Sequence, residues 1–126
     1  MHAQTDLLNA IQMYFEAIHE CDVAKLNTVF HPASSLFDAD NGTIFVEPIE
    51  SFSRDVAGRT SPASAGQTMA AEVLLIDYLS PISATVKIRI RAHQNVFVDH
   101  LGFVKGENGW QIMSKIWHLE SVLEGA

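Results

Sequence analysis

Apolar positions recur at helical spacing over residues 5–20, where Leu7, Leu8, Ile11, Phe15 and Ile18 form one stripe and Tyr14 lies on its edge. That period predicts an amphipathic helix, with Thr5 or Asp6 able to cap its start. Cys21 and Asp22 interrupt the stripe. Asp22 can cap a second, shorter helix whose buried face is Val23, Leu26, Val29 and Phe30. Pro32 pushes His31 out of the helical region and ends that helix.

A hairpin is predicted next. Residues 35–40 and 43–47 flank Asn41-Gly42, the pair that best tolerates a type I′ turn. Pro48 suits the first turn of a third helix, with Ile49, Phe52 and Val56 facing inward and Gly58 ending it. Residues 58–67 are rich in Gly, Ser, Ala and Pro and read as a loop over a pocket mouth. The rest of the chain alternates with period two. Strands are predicted at 68–79, 83–94, 96–105 and 110–119, with Ser80-Pro81 and the run from Gly106 to Gly109 as turns. Thr85, Lys87, Arg89, Arg91 and His93 would form one polar face. Helices followed by a run of strands indicate an α+β fold of order ααββαββββ. A bent antiparallel sheet closed on one side by helices leaves a cone with an opening, a natural pocket.

The 126 residues fit a single domain, 1–126, and a hydrophobic content of 48% allows a sizeable core. A net charge of -7 with scattered basic residues argues against nucleic acid or an anionic membrane as partner. Cys21 stands alone, so no intrachain disulfide can form. No signal-like N-terminus and no apolar run long enough to span a bilayer is seen, and a cytoplasmic location is expected. The six histidines show no His-x-His or HExxH spacing, so no metal is expected. There is no glycine-rich phosphate loop, so nucleotide hydrolysis is not expected, and with no nucleophile elbow and an ordinary Cys21 no covalent nucleophile is seen. No cofactor is expected.

The opening run MYFEAIHECDVAKLNTVFHPASSLF and the tail VFVDHLGFVKGENGWQIMSKIWHL resemble the nuclear transport factor 2-like (cystatin-like, SnoaL-like) superfamily, the tail in particular its branch labelled putative lumazine-binding. The likeness implies a cystatin-like cone and covers nearly the whole chain. It also extends to bacterial ketosteroid isomerases. By that resemblance Tyr14 falls on the oxyanion-binding tyrosine, Asp38 on the catalytic base and Asp99 on a second oxyanion donor kept protonated. The isomerase base is followed by proline, where this chain has Ala39, and a small change of register would favour Asp40.

The final hairpin decides what surrounds Asp99. A two-residue turn at Asn108-Gly109 sets Leu101 opposite Ile116 and Asp99 opposite His118, with Lys115 outside. A longer loop, with Val104 opposite Trp110, sets Asp99 opposite Lys115. The two differ in parity, so they exchange the faces of the whole last strand. The first is preferred because it spares the pocket a buried ammonium. Trp110 and Trp117, at odd spacing, would face opposite sides.

The leading reading is a protein binding a small-molecule ligand in an apolar cone, with Tyr14, Asp99 and His118 inside and Phe30, Phe52, Phe97 and Ile116 as walls. A second reading is an isomerase or cyclase acting on a carbonyl compound, with Asp38 as base and Tyr14 and Asp99 as oxyanion donors. A third is a non-catalytic dimerisation or adaptor module. A hollow cone supports the first two and a filled one the third. The resemblance implies a homodimer through the outer sheet face. The polar row of residues 83–94 and Trp117 are expected to be buried there.

Overall fold

Two helices open the chain in the computed structural model, which describes residues 2–124. The first, α1, spans His2–Glu20, and buries Leu7, Ile11, Tyr14, Phe15 and Ala17. Leu8 faces solvent instead, and Tyr14 is not at the edge of the stripe but fully enclosed. Cys21 takes a positive φ of 51° and turns the chain. The helix α2, Val23–Val29, starts at Asp22, whose carboxylate accepts a hydrogen bond from the Lys25 N–H at 3.1 Å. It ends at Val29, and Phe30 is the first residue of β1, Phe30–Asp38, rather than the last of the helix.

Strand β1 pairs antiparallel with β2, Phe45–Pro48, and Asp38 lies opposite Phe45. The connection is therefore a six-residue loop, not a two-residue type I′ turn. Asn41 keeps a negative φ and only Gly42, at φ 87°, is left-handed. Pro48 leads into α3, Ile49–Ala57, which buries Ile49, Phe52 and Val56 and stops at Gly58. The strands β3 (Ala71–Ser80), β4 (Ser83–Ala92), β5 (Asn95–Gly106) and β6 (Gly109–Val122) then form a meander. The six strands make one mixed sheet in the order β2-β1-β6-β5-β4-β3, with β1 parallel to β6. The three helices cover its inner face, in the expected cystatin-like α+β architecture.

The final hairpin departs from the preferred register. Gly106 pairs with Gly109, so Glu107 and Asn108 form the turn and Gly109, at φ 83°, takes the left-handed position after it. A turn of that kind uses its glycine last, which displaces the pairing from the Asn108-Gly109 alternative. Phe103 faces Ile112 and Gly102 faces Ser114, leaving Met113 as an extra residue, a β-bulge. Beyond it Asp99 lies opposite Trp117 and Leu101 opposite Lys115. The bulge reverses the parity of β6. Trp110 and Trp117 consequently share the inner face, and Ile116 and His118 point outward.

The link from α3 to β3 is tied down. The Gln67 side chain bonds the His93 backbone at both N–H and C=O, each at 3.0 Å. His93 Nε2 lies 2.8 Å from the Thr60 carbonyl, and the Ala63 N–H donates to the His19 carbonyl at 3.0 Å. On the outer face Arg89 bridges Glu72 and Glu120, at 2.6 and 2.8 Å. Among the described residues no helix is long and apolar enough to cross a membrane.

Because Asp22 holds the first turn of α2, Asp22→Ala should lower stability by about 1 kcal/mol. A urea denaturation midpoint indistinguishable from the parent would show that the cap does not support the fold.

Candidate functional site

The cone is hollow. A cavity of about 300 Å³ lies between α1, α3 and the inner face of the sheet. Phe45, Phe52, Phe97 and Trp117 supply aromatic walls, and Ile18, Ile90 and Ala92 aliphatic ones. Trp117 stands edge-on to Phe97 with ring centres 5.7 Å apart. At the base three polar side chains meet: Tyr14 from α1, Asp99 from β5 and Lys115 from β6.

The chemistry of this base follows from burial. Asp99 is 1% exposed and Lys115 7%. The Tyr14 hydroxyl donates to Asp99 Oδ2 at 2.5 Å, and Lys115 Nζ lies 3.8 Å from the same oxygen. Asp99 Oδ1 is buried with no hydrogen-bond partner among the described residues. The Lys115 ammonium also sits over two rings, 4.8 Å from the centre of Phe52 and 5.3 Å from that of Tyr14. Ring faces attract a cation, most strongly when water is excluded. Burial holds the Lys115 amine below its ordinary range, opposed by the Asp99 carboxylate beside it. Burial, and then the Asp99 charge, hold the Tyr14 phenol well above its ordinary value. Removing one partner of such a buried ion pair costs about 3–5 kcal/mol, because the other is left charged and alone.

The mouth is charged differently. Arg59 stacks over Phe52, with its guanidinium carbon 5.4 Å from the ring centre. Glu47 and Asp55 also face the opening. The Ser51 hydroxyl donates to Glu47 at 2.8 Å. Burial and the neighbouring Asp55 carboxyl nevertheless push the Glu47 carboxyl up.

Of the residues predicted for the pocket, Tyr14, Phe52, Phe97 and Asp99 line it. Phe30 does not. It lies one layer behind, edge-on to Tyr14 with centres 5.9 Å apart. Ile116 is 55% exposed on the outer face, and His118 is also outside, its Nδ1 2.6 Å from Asp40 Oδ1. The bulge at Met113 is the cause of both corrections. Asp38 is not a wall of the cavity, and its carboxylate accepts the Asp40 N–H at 3.2 Å within the β1–β2 loop. Asp40 is no base in the cavity either, since Oδ2 accepts the Leu119 N–H at 2.8 Å and secures the far end of β6. Lys115 and Trp117 were assigned outward by sequence reasoning, and Phe45, Glu47, Asp55 and Arg59 were not foreseen on the cavity at all. The signal for Lys115 was Asp99 itself, a carboxylate on an apolar strand face that requires a partner.

Comparison with known proteins places this geometry in context. A family described as putative lumazine-binding matches residues 2–118. No curated protein sequence matches the chain. Among solved structures, a nuclear transport factor 2-like protein of unknown function from Shewanella baltica superposes with a TM-score of 0.82 at 19% identity, covering 94% of each chain. One from Silicibacter pomeroyi, also of unknown function, gives 0.81 at 16% identity, covering 92% of this chain and 94% of that one. A ketosteroid isomerase-like protein from Erwinia carotovora atroseptica gives 0.66 at 13% identity, covering 90% and 92%. At these identities the likeness is one of fold.

The raised Tyr14 phenol has a consequence for stability. It ionises at its ordinary value of 10.0 when unfolded and higher when folded, so the folded state holds the proton more tightly. The stabilisation is complete below the unfolded value and is lost as pH rises through the folded one. Lys115, with its lowered value, acts in the opposite sense, so the comparison requires two proteins that both retain it. Above pH 10.0 the parent should lose stability more steeply than Tyr14→Phe, by urea midpoint at each pH. Parallel curves would show that the phenol is not held protonated by the fold.

Proposed function

The chain belongs to the putative lumazine-binding family, and we propose that it binds a neutral, largely aromatic small molecule that presents a carbonyl oxygen to Lys115. One observation carries this reading. The Lys115 ammonium opens on an aromatic-walled cavity and has an ion-pair partner and two rings beside it, but no hydrogen bond among the described residues. Its donors are therefore uncommitted, and a ligand acceptor would complete them. A cavity of this size and composition is of the kind that takes a small ligand, with few polar groups fixing its orientation. Asp99 already balances the Lys115 charge, and Glu47 and Asp55 outnumber Arg59 at the mouth. A neutral carbonyl thus suits the site better than a carboxylate. A pteridinedione of the kind the family description names has both a flat aromatic body and ring carbonyls.

The isomerase reading has less support. Tyr14 spends its only hydroxyl proton on Asp99, and that carboxyl oxygen also faces Lys115, so neither group is placed to donate to a substrate oxygen. Asp38 is engaged with its own loop.

Titration with lumazine should quench tryptophan fluorescence, since Trp117 forms part of the wall. Losing a hydrogen bond to a charged group costs ~1.5–3 kcal/mol, so Lys115→Met should weaken binding roughly ten- to a hundredfold. Asp38→Asn should leave it unchanged. Equal affinities for the parent and Lys115→Met would remove the lysine from the site.

Two copies would pair through the outer sheet face. The apolar side chains of Leu74, Val98 and Ile116 lie there beside Lys87, Arg89 and Glu120. A face carrying both signs and an apolar centre can be complementary to itself under two-fold symmetry. The Trp117 ring packs edge-on to Phe97 on the inner face, while the residue also borders this outer groove. Sedimentation equilibrium should give twice the chain mass at micromolar concentration, and Ile116→Lys should shift it to the monomer. A parent that is monomeric throughout would refute the pairing.

A further inference from the structure

We propose that Lys115 is a nucleophile that condenses with aldehyde or ketone carbonyls in the cavity to form an imine. The inference rests on the carbonyl-binding reading above and extends it from a contact to a bond. An amine attacks carbonyls only when unprotonated, and burial in an apolar site favours that form. Lys115 is 7% exposed, its amine opens on the cavity, and the aromatic rings below it hold it in place. Burial also holds its basicity down. None of the other lysines has this setting. Lys25 pairs with Glu16 and Glu20, Lys105 with Asp6, and Lys87 belongs to the outer face.

The same cluster contains the proton carrier the reaction needs. Asp99 Oδ2 lies 3.8 Å from Lys115 Nζ, a gap that a small side-chain movement closes. Asp99 takes one proton from the ammonium, and the free amine attacks the carbonyl carbon. The C–N bond forms, the C=O π electrons move to oxygen, and Asp99 returns the proton to that oxygen. Asp99 then takes a second proton from nitrogen and delivers it to the hydroxyl. The C–O bond breaks, water leaves, and the nitrogen lone pair closes the C=N bond. The net change is an ammonium and a carbonyl converted to a protonated imine and one water, with the charge unchanged. Tyr14, donating to Asp99 at 2.5 Å, stabilises the carboxylate each time it is regenerated. The unpartnered Oδ1 gives Asp99 a second oxygen that is not engaged by Tyr14.

A neutral aromatic 1,3-diketone, 1-phenyl-1,3-butanedione, is the probe. A reactive lysine converts it to a conjugated enaminone with loss of one water, visible as new near-ultraviolet absorption. The native protein should form one such adduct per chain. Peptide mass mapping should place the added mass of the diketone less water on Lys115. Lys115→Arg, which keeps the charge, and Lys115→Met should both abolish it. Mapping on the native chain is decisive even where a variant fails to fold. If the diketone quenches tryptophan fluorescence but gives no enaminone, or the adduct is spread over Lys25, Lys87 and Lys105, the nucleophile is overturned and carbonyl binding stands. If neither lumazine nor the diketone quenches, and no adduct forms, both readings fall together.

Discussion

A lysine ammonium inside an apolar cone must be compensated, and much of the inner architecture answers that requirement. Taking an ion out of water costs several kcal/mol, and only a close counter-ion with further favourable contacts offsets it. Asp99 on the adjacent strand supplies the counter-ion, and the rings of Phe52 and Tyr14 supply the contacts. Tyr14 then fills one of the lone pairs on Asp99. Three elements, α1, β5 and β6, and a fourth, α3, through Phe52, are thereby joined at one polar point in an otherwise hydrophobic interior. The site and the frame are therefore not separable: the groups that make the cavity chemically distinctive also fix how helix and sheet meet.

The fold was legible because periodicity is a property of local sequence. The helical stripe, the Asp22 cap, the Pro48 start and the alternation of β4 each follow from side chains within a few residues of one another. Strand parity was not legible, because it depends on where an extra residue is accommodated. Nothing in the run Ile112-Met113-Ser114 marks Met113 as the residue that bulges. That one residue exchanged Lys115 and Trp117 for Ile116 and His118 in the cavity. The reason for keeping lysine outside, that a buried ammonium is costly, was physically sound for an unpaired ion. It failed because Asp99, two strand positions from Leu101, stood ready as the pair.

Tyr14 and Asp99 show how little a shared position guarantees. Both residues meet at the base of the cone. Their hydrogen bond nevertheless runs from one to the other, and Lys115 turns the carboxyl group towards accepting rather than donating. An oxyanion needs donors aimed at the place where charge develops. Here the Lys115 amine opens on the cavity, and Tyr14 and Asp99 bond to each other beside it. A single neighbouring residue has thus redefined the chemistry available to two others, which is why fold-level likeness does not carry activity with it.

The persistence of an open cavity follows from the same polar point. Apolar cones of this size tend to be filled by neighbouring side chains, since close packing gains dispersion energy. Closing this one would press hydrocarbon against Lys115 Nζ and leave it nothing beyond its ion pair with Asp99 and the two rings. The walls are also held apart by contacts of their own: Trp117 edge-on to Phe97, Arg59 over Phe52, and the loop after α3 anchored through Gln67 and His93. Collapse would therefore have to break wall contacts in order to bury an unsatisfied ion more deeply. A ligand resolves the conflict from the other direction, by supplying both apolar surface and an acceptor. The lysine at its base thus opposes closure of the hollow.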